Sequence, residues 1–342
     1  LNSMYNINSW NLSCTLLRQG EFETGWKLYD HGLRTPAEGA QRWQRSLFKP
    51  ASSARIKIWK GEDLDNKNLL LLGEQGIGDS MQFILCVQKI IKTAKKITII
   101  LPERIKEIYK RSLPNCTIIS DGEIREKKIQ FNPLDYDFQS PLGSIVQYTY
   151  ASPEEISKID FKLTTRKNYV KELKNRYGSD KPIVGISWQG GARGKRLNEK
   201  SISLELLCNE LKDLDCHFVS LQYGDDAKII EKIRNKVGID LVDDAEIQAT
   251  KNMESWLDQV DSCDYVISIA NTTIHGAGGL KKPTFCILGR KADWRWLNNP
   301  STSYWYPSVV VSQFEGQDQC HEAIQNGYKW LKAQLSAHAK ID

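Results

Sequence analysis

The sequence predicts an α/β fold in which two Rossmann-like domains face each other across a cleft. Short apolar runs alternate with amphipathic segments of helical period from Lys67 onward, and this alternation starts again at Ile183. Each series opens with an apolar run and a glycine-rich turn, LLLLGEQGIGD in the first and IVGISWQGG in the second. Strands and helices that alternate at these lengths indicate parallel sheets with right-handed crossovers.

Length and composition agree with this architecture and argue against several other classes of protein. A chain of 342 residues with 40% hydrophobic residues is long enough for two domains with their own cores. The net charge of +5 is small and the basic residues are dispersed, which argues against a nucleic-acid partner. No apolar run approaches the roughly 20 residues that a membrane-spanning helix needs. The eight cysteines stand singly, so we expect reduced thiols and a cytoplasmic location, with contact to the inner face of the membrane left open.

Residues 1–66 are predicted to form a helical hairpin and a linker. Apolar residues at helical spacing run from Trp10 to Leu33, and Gly20 stands where the turn of the hairpin is expected. The segment LLRQGEFETGWKLYDHGLR resembles a single tetratricopeptide-type repeat. One such repeat cannot bury its own faces, so it must either dock on the rest of the chain or continue a longer array.

Residues 67–178 are predicted to form the first Rossmann-like domain. Its predicted strands are Leu69–Leu72, Ile97–Leu101 and Thr117–Ser120. Its predicted helices are Met81–Ala94, Glu103–Leu113 and Arg166–Arg176. Residues 123–152 have a weaker pattern and are expected to carry long loops.

Residues 179–316 are predicted to form the second domain, followed by a C-terminal helix within residues 317–342. The predicted strands are Ile183–Trp188, His217–Gln222, Tyr265–Ala270, Thr284–Leu288 and Val309–Ser312. The predicted helices are Ser203–Leu214, Ala227–Val237, Met253–Ser262 and a short one after the turn NTTIHGAGG. We expect the last helix, from about Gln317 to Leu335, to pack back on the first domain.

The turn after the first strand carries the candidate catalytic residue. Gly76 and Gly78 allow the backbone to approach a ligand closely, and Asp79 stands at the start of the following helix. A carboxylate there can accept the proton of an attacking hydroxyl, or it can simply cap the helix. The residues alone leave both roles open.

The second domain carries the candidate anion site. Arg193 and Lys195 lie in the glycine-rich loop after its first strand, and Asn271 begins the turn that opens the short helix. Hydroxyls, backbone amides and an imidazole at a helix start favour phosphate binding. The candidate ligands there are Asn271, Thr272, Thr273 and His275, with Gln189 and Gln222 at the ends of neighbouring strands. The sequence has no DxD pair at a strand end, so no metal is expected.

Five motifs in order resemble the heptosyltransferase-like glycosyltransferases (glycosyltransferase family 9), which have the GT-B fold. They are GEQGIGDSMQF, VGISWQGG with a following RGKR, FVSLQYGDD, DYVISIANTTIHGAGGLKKP and DWRWLNNPSTSYWYPS. The resemblance covers roughly Lys67 to Phe314 and extends to the branch that carries tetratricopeptide repeats. It implies inverting, metal-independent sugar transfer from a nucleotide-sugar to a hydroxyl. It also implies that Asp79 is the base and that Lys195 and Asn271–His275 contact the donor.

One departure from this family pattern and two other functions remain to be weighed. The heptosyltransferases usually have Asp in the turn where this chain has Ala270 and Asn271, so a donor contact that needs a carboxylate is in doubt. The acceptor stays open between a glycan, a lipid-linked glycan and a protein, and the N-terminal helices could contact a protein. The alternatives are an NAD(P)-dependent oxidoreductase and a non-catalytic binding module. Against the oxidoreductase, GEQGIGD is not a GxGxxG motif, and Leu101 and Pro102 stand where a ribose-binding carboxylate is wanted.

Overall fold

The computed structural model describes residues 2–33, 56–74, 76–191, 201–224, 226–289, 292–298 and 300–339. The chain divides into two compact units. The first unit comprises residues 1–163 and 293–298, and the second comprises residues 164–292 and 299–342. Each unit is built on one parallel sheet, as the alternation of strands and helices predicted. None of the helices formed by the described residues is both long and apolar enough to cross a membrane.

The N-terminal helices belong to the first unit and do not form a separate domain. Helix α1 is Asn2–Gln19, α2 is Phe22–Tyr29, and a 3₁₀ turn covers Asp30–Leu33. Gly20 makes the turn between them with a positive φ of 85°. Trp26 and Tyr29 are buried, so the repeat-like hairpin docks on its own unit. Residues 34–55 of the predicted linker lie outside the described part of the chain.

The first sheet has the spatial order β1-β5-β2-β3-β4, with every neighbouring pair parallel. Its strands are β1 (Lys57–Ile58), β2 (Asn68–Leu72), β3 (Lys96–Leu101), β4 (Thr117–Ser120) and β5 (Phe138–Pro141). Its helices are α3 (Ile77–Phe83), α4 (Glu103–Ser112), α5 (Asp121–Arg125), α6 (Val146–Thr149) and α7 (Pro153–Ser157). Leu69–Leu72 are fully buried, as is usual for an interior strand of a parallel sheet whose two faces are both covered.

Two features of the first unit differ from the sequence-based expectation. The long helix predicted from Met81 to Ala94 is a short α-helix, Ile77–Phe83, followed by a 3₁₀ segment, Ile84–Lys89. Every residue from Met81 to Val87 is buried. Contacts on all sides therefore determine the shape of this segment, whereas the prediction assumed a helix with a single apolar face. Strand β5 was not predicted, because its sequence FQSP is half polar.

The second sheet has the spatial order β11-β10-β9-β6-β7-β8, again with parallel neighbours. Its strands are β6 (Ile183–Ser187), β7 (His217–Ser220), β8 (Leu241–Val242), β9 (Tyr265–Ile269), β10 (Thr284–Gly289) and β11 (Val309–Phe314). Its helices are α8 (Lys167–Tyr177), α9 (Leu204–Leu211), α10 (Ala227–Val237), α11 (Met253–Ser262), α12 (Thr272–Gly279) and α13 (Gln317–His338).

The boundary between the units lies at residues 163/164, not at 178/179. Helix α8 belongs to the second unit because polar bonds tie it to that unit. Arg166 Nε donates to Asp258 Oδ2 at 2.6 Å, and Lys174 Nζ donates to Asp264 Oδ1 at 2.9 Å. Later in the chain, residues 293–298 belong to the first unit, although the residues before and after them belong to the second.

Helix α13 packs within the second unit. Its buried residues Ala323, Ile324 and Leu331 lie in the same apolar core as Val184 and Ile267 of the central strands. The sequence suggested that this helix would return to the first domain. Its apolar face is covered instead by the sheet that it follows in the chain.

In both sheets the strand order reverses next to the first long strand. In the second unit the reversal lies between β6 and β9, and in the first unit it lies between β2 and β5. Open α/β sheets bind ligands at the carboxyl ends of the strands at this switch point. The residues that follow β2, β6 and β9 are the ones that the sequence singled out.

Candidate functional site

In the first unit, Asp79 lies in the first turn of α3. Its Oδ2 accepts a hydrogen bond of 2.8 Å from the backbone N–H of Gly76, the residue that precedes the helix. A Cβ at Gly76 would lie 3.1 Å from the same oxygen, so glycine here gives room to the carboxylate. Asp79 therefore caps the helix, which is one of the two roles that the sequence left open. Gly78 lies inside α3.

Asp79 also forms an ion pair that the sequence did not predict. Its Oδ1 accepts a hydrogen bond from Arg295 Nη2, and Arg295 lies in the 3₁₀ turn Trp294–Trp296. The sequence assigned this aromatic stretch to the donor domain, whereas the structure places residues 293–298 in the first unit. The sequence shows a single arginine between two tryptophans, but no local pattern indicates which residue pairs with it.

A second residue that the sequence analysis missed is Glu74, whose side chain links the ends of β2 and β5 at the switch point of the first sheet. Only 2% of Glu74 is exposed, and its Oε1 accepts a 2.7 Å hydrogen bond from the backbone N–H of Gly143. Glu74 follows β2 and Gly143 follows β5. A Cβ at Gly143 would lie 2.6 Å from that carboxylate oxygen, so the contact requires glycine.

In the second unit, Gln222 holds the start of the glycine-rich loop. Its Oε1 accepts hydrogen bonds from the backbone N–H groups of Trp188 at 3.1 Å and Gln189 at 2.9 Å, and from Ser187 Oγ at 3.1 Å. Its Nε2 donates to the carbonyl of Gln189 at 3.2 Å. The side chain that the sequence assigned to the ligand thus braces the loop that follows β6.

Asn271 makes a similar brace across the switch point. Its Nδ2 donates to Ser187 Oγ at 2.7 Å and to the carbonyl of Gln189 at 3.2 Å. Its Oδ1 accepts from the backbone N–H of Thr273 at 2.9 Å and from Ser268 Oγ at 3.2 Å. A side-chain amide has two donor hydrogens and two acceptor lone pairs, so this network uses all of them.

The remaining candidates lie on the first turns of α12. Thr273 is 1% exposed, and its hydroxyl has no hydrogen-bond partner among the described residues. His275 is half-buried, and its Nδ1 lies 3.0 Å from the hydroxyl of the buried Tyr306. Thr272 is half-buried at the first helical position. Three of the sequence candidates, Gln189, Gln222 and Asn271, are thereby brought into one hydrogen-bonded cluster next to this helix start.

Two predicted basic residues, Arg193 and Lys195, fall within residues 192–200, outside the described part of the chain. In the parts that the structure describes, no group of three or more His, Cys, Asp or Glu side chains is arranged to hold a metal ion. Metal-independent chemistry stays a prediction.

Comparison with known sequences gives one distant relative. No family model matches the chain. Protein FlbA of Caulobacter vibrioides is 23% identical over 308 residues, which cover 86% of this chain and 50% of that protein. The chain thus spans about half the length of the curated relative that it matches.

Comparison with solved structures identifies the fold. ADP-heptose lipopolysaccharide heptosyltransferase II of E. coli aligns with a TM-score of 0.58 and 12% identity, covering 80% of this chain and 99% of that one. The glycosyl transferase family 9 structure from Veillonella parvula aligns with a TM-score of 0.55 and 9% identity, covering 78% and 93%. E. coli heptosyltransferase WaaC with ADP-2-deoxy-2-fluoro heptose aligns at 0.50 and 9%, covering 77% and 99%. At these identities the likeness shows the fold alone, and the association with tetratricopeptide repeats stays a prediction. The predicted fold class is confirmed: the chain has the GT-B type of fold found in these transferases.

Proposed function

We propose that this chain is a glycosyltransferase that moves a sugar from a nucleotide-sugar donor to a hydroxyl acceptor. The observation that carries the proposal is the Asn271 brace. It lies at the switch point of a sheet whose strand order is that of nucleotide-binding Rossmann domains. Similar folds were solved with ADP and with an ADP-heptose analogue, so an ADP-sugar is the first donor to test.

On the donor side, the start of α12 is proposed to hold the diphosphate. The first N–H groups of a helix have no partner within the helix and favour an anion. The hydroxyls of Thr272 and Thr273 lie at the same helix end, and His275 follows one turn later. Arg193 and Lys195 are proposed to supply the positive charge that a metal supplies in other transferases. Gln222 is proposed to serve this site by holding the backbone of Trp188 and Gln189, which precede the segment that contains those two residues.

On the acceptor side, Asp79 is proposed to act as the general base. Each oxygen of an ionised carboxylate can accept two hydrogen bonds, so the bonds to Gly76 and Arg295 leave acceptor capacity. Asp79 would take the proton from the acceptor hydroxyl as its oxygen attacks the sugar carbon that carries the diphosphate. The nucleoside diphosphate leaves from the opposite face, so a single displacement inverts the anomeric configuration.

The first experiment is a thermal-denaturation screen with ADP, UDP, GDP, NAD and NADP and the matching nucleotide-sugars. A ligand at 100 times its Kd stabilises the native state by about 2.7 kcal/mol, which raises the unfolding midpoint measurably. We expect a nucleoside diphosphate and its sugar to raise it. A rise with NAD or NADP alone would favour the oxidoreductase, and no rise with any nucleotide would contradict nucleotide binding altogether.

The second experiment tests the base by the substitution Asp79→Asn. We expect sugar transfer to fall by about 10²–10⁴-fold, while calorimetry shows unchanged donor affinity. Asp121→Asn is the matched control, since Asp121 also lies in the first turn of a short helix of this unit and pairs with an arginine, Arg125. Transfer that survives Asp79→Asn would show that Asp79 is a helix cap and not the base.

A further inference from the structure

The side chain of Arg295 is held by polar groups at three of its nitrogens. Nη2 pairs with Asp79 Oδ1, Nε donates to Gln82 Oε1 at 2.7 Å, and Nη1 donates to Asp293 Oδ2 at 3.0 Å. Only 12% of the Arg295 side chain is exposed. A planar guanidinium with this many fixed contacts has one orientation, and it therefore fixes the position of Oδ1 of Asp79.

Aromatic rings enclose the same guanidinium. Its Cζ lies 4.5 Å from the ring centre of Trp294 and 5.8 Å from that of Phe83, and these two rings are stacked at an angle of 13°. Trp26 and Tyr29 of α2 meet the Trp294 ring edge-on, at 5.2 Å and 5.5 Å. A cation within about 6 Å of a ring centre is attracted to the ring. The N-terminal hairpin thus packs against Trp294, the ring that lies next to the Arg295 guanidinium.

The orientation of the Gln82 side chain supports a specific interaction with Arg295. Gln82 is fully buried, and its Oε1 is used by Arg295. Its Nε2 has no hydrogen-bond partner among the described residues. A buried donor without a partner costs about 1–3 kcal/mol. The fold tolerates that cost at a position where the amide oxygen holds Arg295.

The charges around Arg295 favour its charged form. Burial disfavours the charged form of Arg295, but Asp79 and then Asp293 outweigh burial, and the net effect raises the pKa of the guanidinium. Arg295 therefore stays charged at any working pH. The titratable groups that face this cation are Asp79, Asp293, Tyr29 and Cys14. A permanent cation therefore faces the Asp79 carboxylate.

We propose that Arg295 is a positioning residue for Asp79: it holds the carboxylate in one orientation for proton transfer. This proposal rests on the proposed function, in which Asp79 is the base. A base accepts a proton efficiently only when it is correctly placed. Without Arg295, Oδ1 of Asp79 loses the bond that orients it, whereas Oδ2 keeps the bond from the Gly76 N–H.

The test compares Arg295→Gln with wild type, with Arg125→Gln as the matched control because Arg125 pairs with Asp121 in the same unit. The first readout needs no substrate: ¹³C NMR of protein labelled at the aspartate carboxyl carbons, with the Asp79 signal identified from Asp79→Asn. We expect this signal to change its chemical shift and to broaden in Arg295→Gln, because the carboxylate then samples several orientations, and to be unchanged in Arg125→Gln. An unchanged Asp79 signal in Arg295→Gln would overturn the proposal, whatever the donor is.

The second readout is nucleoside diphosphate release from the nucleotide-sugar that binds in the screen. In Arg295→Gln we expect kcat to fall by roughly ten- to hundredfold, with donor affinity unchanged. A loss of donor affinity together with a lowered unfolding midpoint would mean that Arg295 is only structural. If wild type binds no nucleotide, the proposed function fails while the NMR signal of Asp79 still decides the role of Arg295.

A second variant keeps the proposal testable if Arg295→Gln does not fold. Arg295→Lys retains the charge but loses the planar fork that contacts Asp79, Gln82 and Asp293 together. We expect kcat to fall several-fold, less than in Arg295→Gln, because the carboxylate keeps a positive partner but is less firmly oriented. A kcat equal to that of wild type would contradict the orienting role.

Discussion

The side-chain amide of Asn271 donates a 2.7 Å hydrogen bond to Ser187 Oγ and so joins the ends of two neighbouring strands that are 84 residues apart. The same nitrogen donates to the carbonyl of Gln189. An aspartate, which heptosyltransferase-like sequences usually have at this turn, could cap the helix but could donate neither bond. The departure noted in the sequence thus has a physical reason, because this unit uses the amide as a brace.

Replacing the amide by a carboxylate should break this brace. Asn271→Asp keeps the cap to Thr273 and loses both donated bonds, so we expect the free energy of unfolding to fall by about 1–3 kcal/mol. Binding of ADP or the preferred nucleotide, measured by calorimetry, should weaken as well. Asn252→Asp is the control, because Asn252 caps α11 in the same way and its amide donates a longer bond, of 3.3 Å, to Ser255. Equal effects of the two substitutions would contradict a special role for Asn271.

Gly278 of α12 lies against the ring of Tyr306, whose hydroxyl contacts His275. A Cβ at Gly278 would overlap this buried ring, so we expect Gly278→Ala to lower the free energy of unfolding by about 1–3 kcal/mol. Urea denaturation followed by circular dichroism measures it. In the control Gly122→Ala, the nearest atom to the new Cβ is at 3.6 Å, and alanine should stabilise the helix by up to about 1 kcal/mol. A stabilised Gly278→Ala would mean that the ring moves aside freely.

The N-terminal hairpin should contribute to the stability of the first unit. Trp26 is 2% exposed and packs against Tyr29, Phe83 and Trp294, so Trp26→Ala should cost about 3–5 kcal/mol. Leu12→Ala on α1 is the control, since half of Leu12 is exposed and the expected change is about 0.5 kcal/mol or less. Thermal denaturation compares the two variants. If Trp26→Ala is as stable as Leu12→Ala, the hairpin is not part of the core.

Acid should destabilise the first unit through Glu123. Burial disfavours its ionised form, but the Ser120 backbone amide and Lys106 outweigh burial and hold the pKa of Glu123 below its ordinary value of 4.5. A lowered folded-state pKa contributes stability above pH 4.5 that is lost as the pH falls through the folded value. Glu123→Gln should therefore lower the unfolding midpoint at pH 7, and this difference should shrink in acid. Glu231→Gln, on the exposed side of α10, is the control; a difference that grows in acid would reverse the assigned sign.

The strands and helices with strong local patterns were predicted well. The bounds of α10 and α11 match the sequence-based prediction, because an apolar face at helical spacing is a local signal, and α10 also ends at Gly238. Strand β5 was missed because its stability comes from distant partners. Gln139, for example, is buried and donates to the carbonyl of Ile56, 83 residues earlier.

The candidate site divides in the same way. Asn271 directly follows a predicted strand, Gln222 ends one and Asp79 lies just after the glycine turn that follows one, so parallel-sheet geometry was enough to select them. Their partners could not be selected in this way. Gln222 and Asn271 were expected to contact a ligand, yet their amides are used on Ser187, Trp188 and Gln189.

The sequence by itself determined the two parallel sheets, the glycine turns and the identity of the polar residues at the strand ends. These follow from apolar runs, turn residues and strand direction, which act over a few residues. Only the tertiary structure decided that residues 293–298 join the first unit and that Arg295 pairs with Asp79 across 216 residues. The pairing of a buried cation with a carboxylate depends on which distant segments meet, and no local propensity encodes that meeting.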